Sequence, residues 1–177
     1  INEKCETNVK GLFAWGENVG GVHGANRLAG NALAETLVFG EIAGKNAAEF
    51  ALANDFEYLN VSKYIDSLPK IGGNFFETEL IKEIRNLMWE YLGIIRDEKG
   101  IKNAIKNQYE KIEFTQNYLE YFKLRNLLFV SYLVALSALK RTESRGAHYR
   151  SDYPKENSQW KKAIIIKKDF EIEYEAR

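Results

Sequence analysis

Hydrophobic positions recur at helical spacing over four stretches of the chain, and they alternate with polar ones only near its end. The first stretch, roughly 32–54, carries Leu33, Leu37, Val38, Ile42, Ala43, Ala47, Phe50 and Ala51 at helical intervals. Asn31 stands just ahead of it, where a side-chain oxygen can accept from the open N–H groups of a first turn. Small residues along it (Ala34, Gly40, Ala43, Gly44, Ala47, Ala48) leave room for a neighbouring backbone. A second helix is predicted over 77–95, with Leu80, Ile81, Ile84, Leu87, Met88, Tyr91 and Leu92 on one face. A third begins near Glu98 and includes Ile101, Ala104, Ile105, Tyr109 and Ile112; a fourth covers 119–142. Short loops between long helices predict an antiparallel three-helix bundle. Alternation over 163–166 and 170–174 predicts a β-hairpin turning at Lys168-Asp169. Pro69 and Gly72-Gly73 mark 55–73 as a linker, and 1–30 reads as irregular apart from a short strand at 12–15.

Composition narrows the classes. The chain has 177 residues, enough for one domain with its own core. Its 25 basic and 25 acidic side chains cancel and are mixed, so the field a nucleic-acid binder would use is missing. One cysteine, Cys5, excludes an internal disulfide framework and fits a reducing, cytoplasmic compartment. Two distant histidines, His23 and His148, argue against a structural metal. The longest apolar run, 127–139, would make a helix of about 20 Å, too short for a bilayer core of about 30 Å. The first ten residues lack the apolar core of a signal peptide.

The candidate chemistry lies in "GGVHGANRLAGNALAETLVFG", 20–40, a glycine-rich run leading directly into the first helix. Such a run normally holds negative charge on a helix N-terminus. The Gly-Lys-Ser/Thr of a nucleotide P-loop is missing. A dinucleotide loop would follow the first strand of a βαβ unit, whereas here the helix is followed by more helix. Since the chain starts at Ile1 without methionine, the part that should precede the loop is expected to be missing from this sequence.

Two motifs carry a resemblance. "GLFAWGENVGGVHGANRLAGNALAETLVFG" is similar to the last part of the flavin domain in the fumarate reductase and succinate dehydrogenase flavoprotein family, which includes L-aspartate oxidase. "ESRGAHYRSDYP", 143–154, resembles the signature that follows that family's C-terminal helical bundle. The resemblance covers essentially the whole chain. It implies the C-terminal part of a larger flavoprotein, with the dinucleotide-binding unit, the capping domain and a substrate histidine all upstream.

The resemblance also implies roles. Arg27 would clamp a carboxylate of a dicarboxylate substrate, as a planar guanidinium does with two parallel hydrogen bonds. From spacing alone it reads instead as an arginine paired with a buried acid or packed on the loop backbone. Glu17 would contact FAD at a ribityl or ribose hydroxyl; its plain alternative is a solvated turn carboxylate. Asn31, Ala32 and Leu33 would be cofactor-binding at the helix start, with the main-chain N–H groups of Ala32 and Leu33 facing the flavin pyrimidine edge, where a helix N-terminus supplies about half a positive charge. His23 is read as shaping the loop by hydrogen bonding. No catalytic residue is assigned within these 177 residues. Arg145, His148, Tyr149 and Arg150 read as a polar loop pinned between bundle and flavin domain, and Gly146 as a position needing unusual backbone geometry.

The expected fold is mainly α: a C-terminal antiparallel three-helix bundle, a remnant of an α/β FAD-binding domain and a C-terminal β-hairpin tail. The expected divisions are 1–55 (flavin and substrate remnant), 56–76 (linker), 77–142 (bundle) and 143–177 (loop and tail). The implied activity of the intact protein is interconversion of fumarate and succinate with FAD; this chain alone is expected to be inactive and colourless. L-aspartate oxidase, or a non-catalytic scaffold docking a partner, are the rival readings. Implied partners are the flavin and capping domains of the same protein, a dicarboxylate and an iron–sulfur subunit. Nucleic acid and a membrane span are not expected, and any membrane association would be peripheral, through partner subunits.

Overall fold

The computed structural model describes residues 1–27, 29–55, 60, 62, 77–115 and 122–176. It parts into two units, Ile1–Val61 and Ser62–Arg177. The linker expected over 56–76, with Pro69 and Gly72-Gly73, lies almost wholly outside the described residues.

In the first unit, helix α1 spans Asn31–Ala53. The expected capping by Asn31 is not realised. Gly30 occupies the N-cap at φ 86°, and Asn31 is already the first helical residue, so its side chain is one position too far along to cap. The left-handed turn open to glycine brings the chain into the helix one residue early. The expected strand at 12–15 is reduced to one bridge between Phe13 and Glu6, after which the chain tightens into a 3-10 turn, Gly16–Asn18.

The 1–18 segment folds onto one side of α1. The Phe13 and Phe50 rings meet edge to face with centroids 6.0 Å apart. Cys5 is fully buried and its thiol points at the Phe39 carbonyl. Trp15 packs closely on Gly40, where a Cβ would lie 3.1 Å from the indole nitrogen and the ring would have to give way slightly. The apolar set of α1 therefore divides. Ala43 is fully buried, with Ile42, Ala47 and Phe50 half-buried, while Leu33, Leu37 and Val38 are 71, 67 and 56% exposed. The 1–18 segment covers one face only.

In the second unit, α2 (Glu77–Leu92), α3 (Glu98–Thr115) and α4 (Phe122–Lys140) form the bundle. Two buried clusters fix its directions. Leu80 and Ile84 meet Ile112, Leu124 and Leu128; Leu92 meets Ile101, Ala104, Ala135 and Ala138. The early residues of α2 thus touch the end of α3 and the start of α4, so α3 runs antiparallel to both. Each fully buried leucine or isoleucine contributes about 1.5–3 kcal/mol relative to an exposed one.

Helix α2 ends at Leu92, short of the expected Ile95, because Ile95–Arg96 leaves as strand β1 to pair in parallel with β2, Tyr149–Arg150. Gly93 permits the exit: a Cβ there would fall 2.4 Å from the Trp89 carbonyl oxygen. The tail forms the expected hairpin, β3 (Lys162–Ile166) antiparallel to β4 (Ile172–Ala176), with Ile164 opposite Tyr174. At its turn Asp169 and Phe170 hold φ 62° and 61°. The Phe170 ring packs on Phe129 and Tyr132 of α4, with centroids 5.9 and 5.1 Å away, which anchors the hairpin to the bundle.

Candidate functional site

Most of the residues singled out from sequence lie in the first unit, between the 3-10 turn and the start of α1. Glu17 is exposed within the 3-10 turn Gly16–Asn18. Arg27 is exposed on the loop three residues before the N-cap of α1. Asn31, Ala32 and Leu33 are the first three residues of α1, with Ala32 half-buried and the other two exposed.

This helix start is open. Gly30 has no side chain to cap it, no other side chain does so, and the first turn contains no acid. Among the described residues no hydrogen bond occupies the N–H groups of Asn31, Ala32 or Leu33. Four N–H groups without intrahelical partners carry the positive end of the helix dipole. A Cβ on Gly24 or Gly30 would meet nothing within 4 Å, so the loop backbone is accessible there. The donor set suits an electron-rich group rather than a cation.

His23 braces this loop. Its Nε2 lies 2.6 Å from a carboxylate oxygen of Glu35 on α1, and the Glu35 side chain is only 7% exposed. The hydrogen-bonding role expected for His23 thus has a specific partner. Sequence reading missed Glu35, although helical spacing places it one turn after Asn31.

A second polar centre lies in the other unit, on the 143–154 motif. Glu143 is fully buried, accepting from Arg141 at 2.7 Å, from Arg145 at 2.9 and 3.0 Å and from the Asn157 N–H at 2.8 Å. Burial alone would raise its pKa; the Arg145, Asn157 and Arg141 hydrogen bonds outweigh that and hold it at about 2. Arg150 is also fully buried. It grips Asp152 through two bonds of 2.7 and 2.6 Å, and its Nη1 donates to the Ala138 and Leu139 carbonyls at the end of α4. Asp152 in turn accepts from the Glu98 N–H at the start of α3. One ion pair therefore satisfies the termini of two helices. Gly146 has φ 58°, the left-handed geometry expected of it.

His148 accepts from Arg96 at Nδ1, 3.0 Å away, because a guanidinium can only donate. Its proton is then on Nε2, 3.2 Å from the Arg141 carbonyl oxygen. Burial lowers its pKa against the opposing Arg141 carbonyl bond, the Arg96, Arg150 and Arg141 charges lower it further, and an accepting Nδ1 belongs to the neutral ring. Arg96 was not singled out from sequence: it lies 52 positions from its partner, and the β1–β2 pairing brings the two segments together. Among the described residues no three His, Cys, Asp or Glu side chains gather as metal ligands would. No described helix is long and apolar enough to cross a membrane.

Known proteins share both regions. The profile described as fumarate reductase flavoprotein C-term matches residues 81–177, and that described as FAD binding domain matches 1–33. An uncharacterised FAD-dependent oxidoreductase of Methanocaldococcus jannaschii is 47% identical over 94% of this chain and 33% of its own length. A fumarate reductase (CoM/CoB) component of Methanothermobacter marburgensis is 37% identical over the whole chain and 35% of its own length. An L-aspartate oxidase of Acinetobacter baylyi is 34% identical over 97% of the chain and 33% of its own. The chain spans about a third of the length of these curated relatives. A solved structure of E. coli quinol fumarate reductase superposes with a TM-score of 0.79 at 30% identity, covering 98% of this chain and 34% of that one.

Proposed function

Because the chain belongs to the fumarate reductase flavoprotein family, we propose that it is the C-terminal part of an FAD-dependent oxidoreductase that interconverts fumarate and succinate. Residues 1–55 would face flavin and substrate. The open, uncapped start of α1, with Arg27 three residues upstream of its N-cap, is the observation that carries this reading.

FAD, when bound, supplies hydride exchange with a substrate carbon at its N5. The N–H groups of Ala32 and Leu33 donate toward its electron-rich pyrimidine edge, and the side chain of Asn31 borders the same helix start. There the helix dipole favours the reduced, negatively charged ring. Glu17 accepts from a ribityl or ribose hydroxyl. Arg27 holds one substrate carboxylate through two parallel bonds, which orients the double bond and draws electron density from it. His23, bound to Glu35, keeps the loop that carries Arg27 against α1. The flavin and capping domains of the full-length protein complete the site. An iron–sulfur subunit is the proposed electron partner, which would place the protein on the cytoplasmic side of a membrane without a span of its own.

The test is fumarate reduction by the full-length protein. Arg27→Ala is expected to lower kcat/KM roughly a hundredfold while bound FAD is retained, with Arg27→Lys intermediate. Undiminished turnover in Arg27→Ala removes the clamp. Similarity to L-aspartate oxidase supports a second reading, oxidation of aspartate; turnover of aspartate but not of fumarate or succinate would select it.

A further inference from the structure

Positive charge around the 143–154 motif is unevenly neutralised. Arg141 and Arg145 share Glu143, Arg145 also reaches Glu156, and Arg150 holds Asp152. Arg96 differs. Its Nε donates to the Gly93 carbonyl and its Nη1 to His148, and among the described residues no carboxylate meets it. Half-buried on β1, it sets its guanidinium against the accepting imidazole nitrogen of His148. Burial lowers its pKa, and no acid opposes that effect. A partly desolvated cation gains most from an anion that arrives with its own hydrogen-bond acceptors.

Arg96 and His148 form the polar end of a cleft of about 420 Å3. Val130, Leu133 and Val134 of α4 and Ile164 of β3 supply apolar walls, and Ser137 and the Glu143-paired Arg141 complete the lining. We propose that this cleft binds a small monocarboxylic acid, with its carboxylate on Arg96 and its apolar body against Val130, Val134 and Ile164. A dicarboxylate fits less well, since its second charge would meet aliphatic walls, and the other cation of the lining, Arg141, is already paired with Glu143. The proposal involves no residue assigned to fumarate or succinate above.

Binding is linked to protonation of His148. The charged groups facing that ring are Arg96 from β1, Arg141 at the end of α4 and Arg150 from β2, all cationic. A carboxylate placed among them favours the imidazolium, so it raises the His148 pKa from its lowered value.

Benzoate is the probe, titrated calorimetrically into the full-length protein, with benzyl alcohol as the neutral control. Saturable binding of benzoate but not of benzyl alcohol is expected, unchanged by excess succinate and unchanged in Arg27→Ala. Arg96→Met keeps the aliphatic stem and is expected to weaken binding roughly tenfold or more. Val134→Asp, which leaves β1 intact and sets a repelling charge in the wall, is expected to do the same. NMR titration of His148 is expected to show a higher pKa with benzoate present. Absence of saturable binding, full affinity in both cleft variants, or an unmoved His148 titration overturns the proposal. So does displacement by succinate together with loss in Arg27→Ala, which would place benzoate at the dicarboxylate site instead.

Discussion

His23 and Glu35 are joined across the glycine-rich loop, with 2.6 Å between Nε2 and the carboxylate oxygen. The contact ties the middle of the loop to the second turn of α1 and fixes the path of the chain through Arg27. Glu35→Ala leaves His23 without this partner and frees the loop, at an expected cost of about 1–3 kcal/mol. In the full-length protein the expected result is a KM for fumarate raised more than kcat is lowered, with FAD content unchanged. Steady-state kinetics on Glu35→Ala and Glu35→Gln check this; wild-type KM in both variants argues against a positioning role.

Arg150 is fully buried, and its removal is expected to be costly. Arg150→Met strips the end of α4 of a donor and leaves Asp152 without its ion-pair partner. An expected loss of about 3–5 kcal/mol follows from breaking a buried pair on one side. Asp152→Asn is expected to cost a comparable amount, because it leaves the buried Arg150 guanidinium without a counter-charge. The Asp152 carboxylate left by Arg150→Met, by contrast, is 29% exposed and can be hydrated. Urea unfolding of the two variants gives the comparison.

Glu143 predicts acid sensitivity. Its folded pKa, about 2, is below its ordinary 4.5, so it favours the folded state fully above pH 4.5. That contribution is lost as pH falls from about 4.5 to about 2. Melting temperature measured over this window is expected to fall steeply in the wild-type protein. In Glu143→Gln, less stable at pH 7, the slope across the same window is expected to be shallower.

Two glycines give opposite expectations. Gly93→Ala forces a methyl to 2.4 Å from the Trp89 carbonyl oxygen and is expected to cost about 1–3 kcal/mol. Gly44→Ala lies within α1, where a Cβ meets nothing within 4 Å, and is expected to stabilise this 177-residue chain by about 0.5–1 kcal/mol. Thermal unfolding separates the two.

Local pattern made the helices legible. Leu80, Ile84 and Leu92, or Ile101 and Ala104, recur at intervals that only a helix turns to one side, and all five are buried. The hairpin was legible for the same reason, its alternation having a period that only an extended chain satisfies. Asn31 shows where local reading ends. The residue type suits a cap, but the backbone angle of Gly30 set the register of the helix start. Of the site, the glycine run and Arg27 could be read from residue order, whereas the Glu35 partner required α1 to be folded against the loop.

Order along the chain determined which segments are helical, where the loop meets α1, and which two motifs identify the family, because these depend on neighbours within a few residues. Tertiary structure decided the rest. It exposed Leu33 and Leu37 although they share α1 with the buried Ala43, brought Arg96 to His148, and committed Arg150 and Asp152 to the ends of two helices. Desolvation and ion pairing depend on what surrounds a group in space, and residues 52 positions apart become neighbours only when the chain closes on itself.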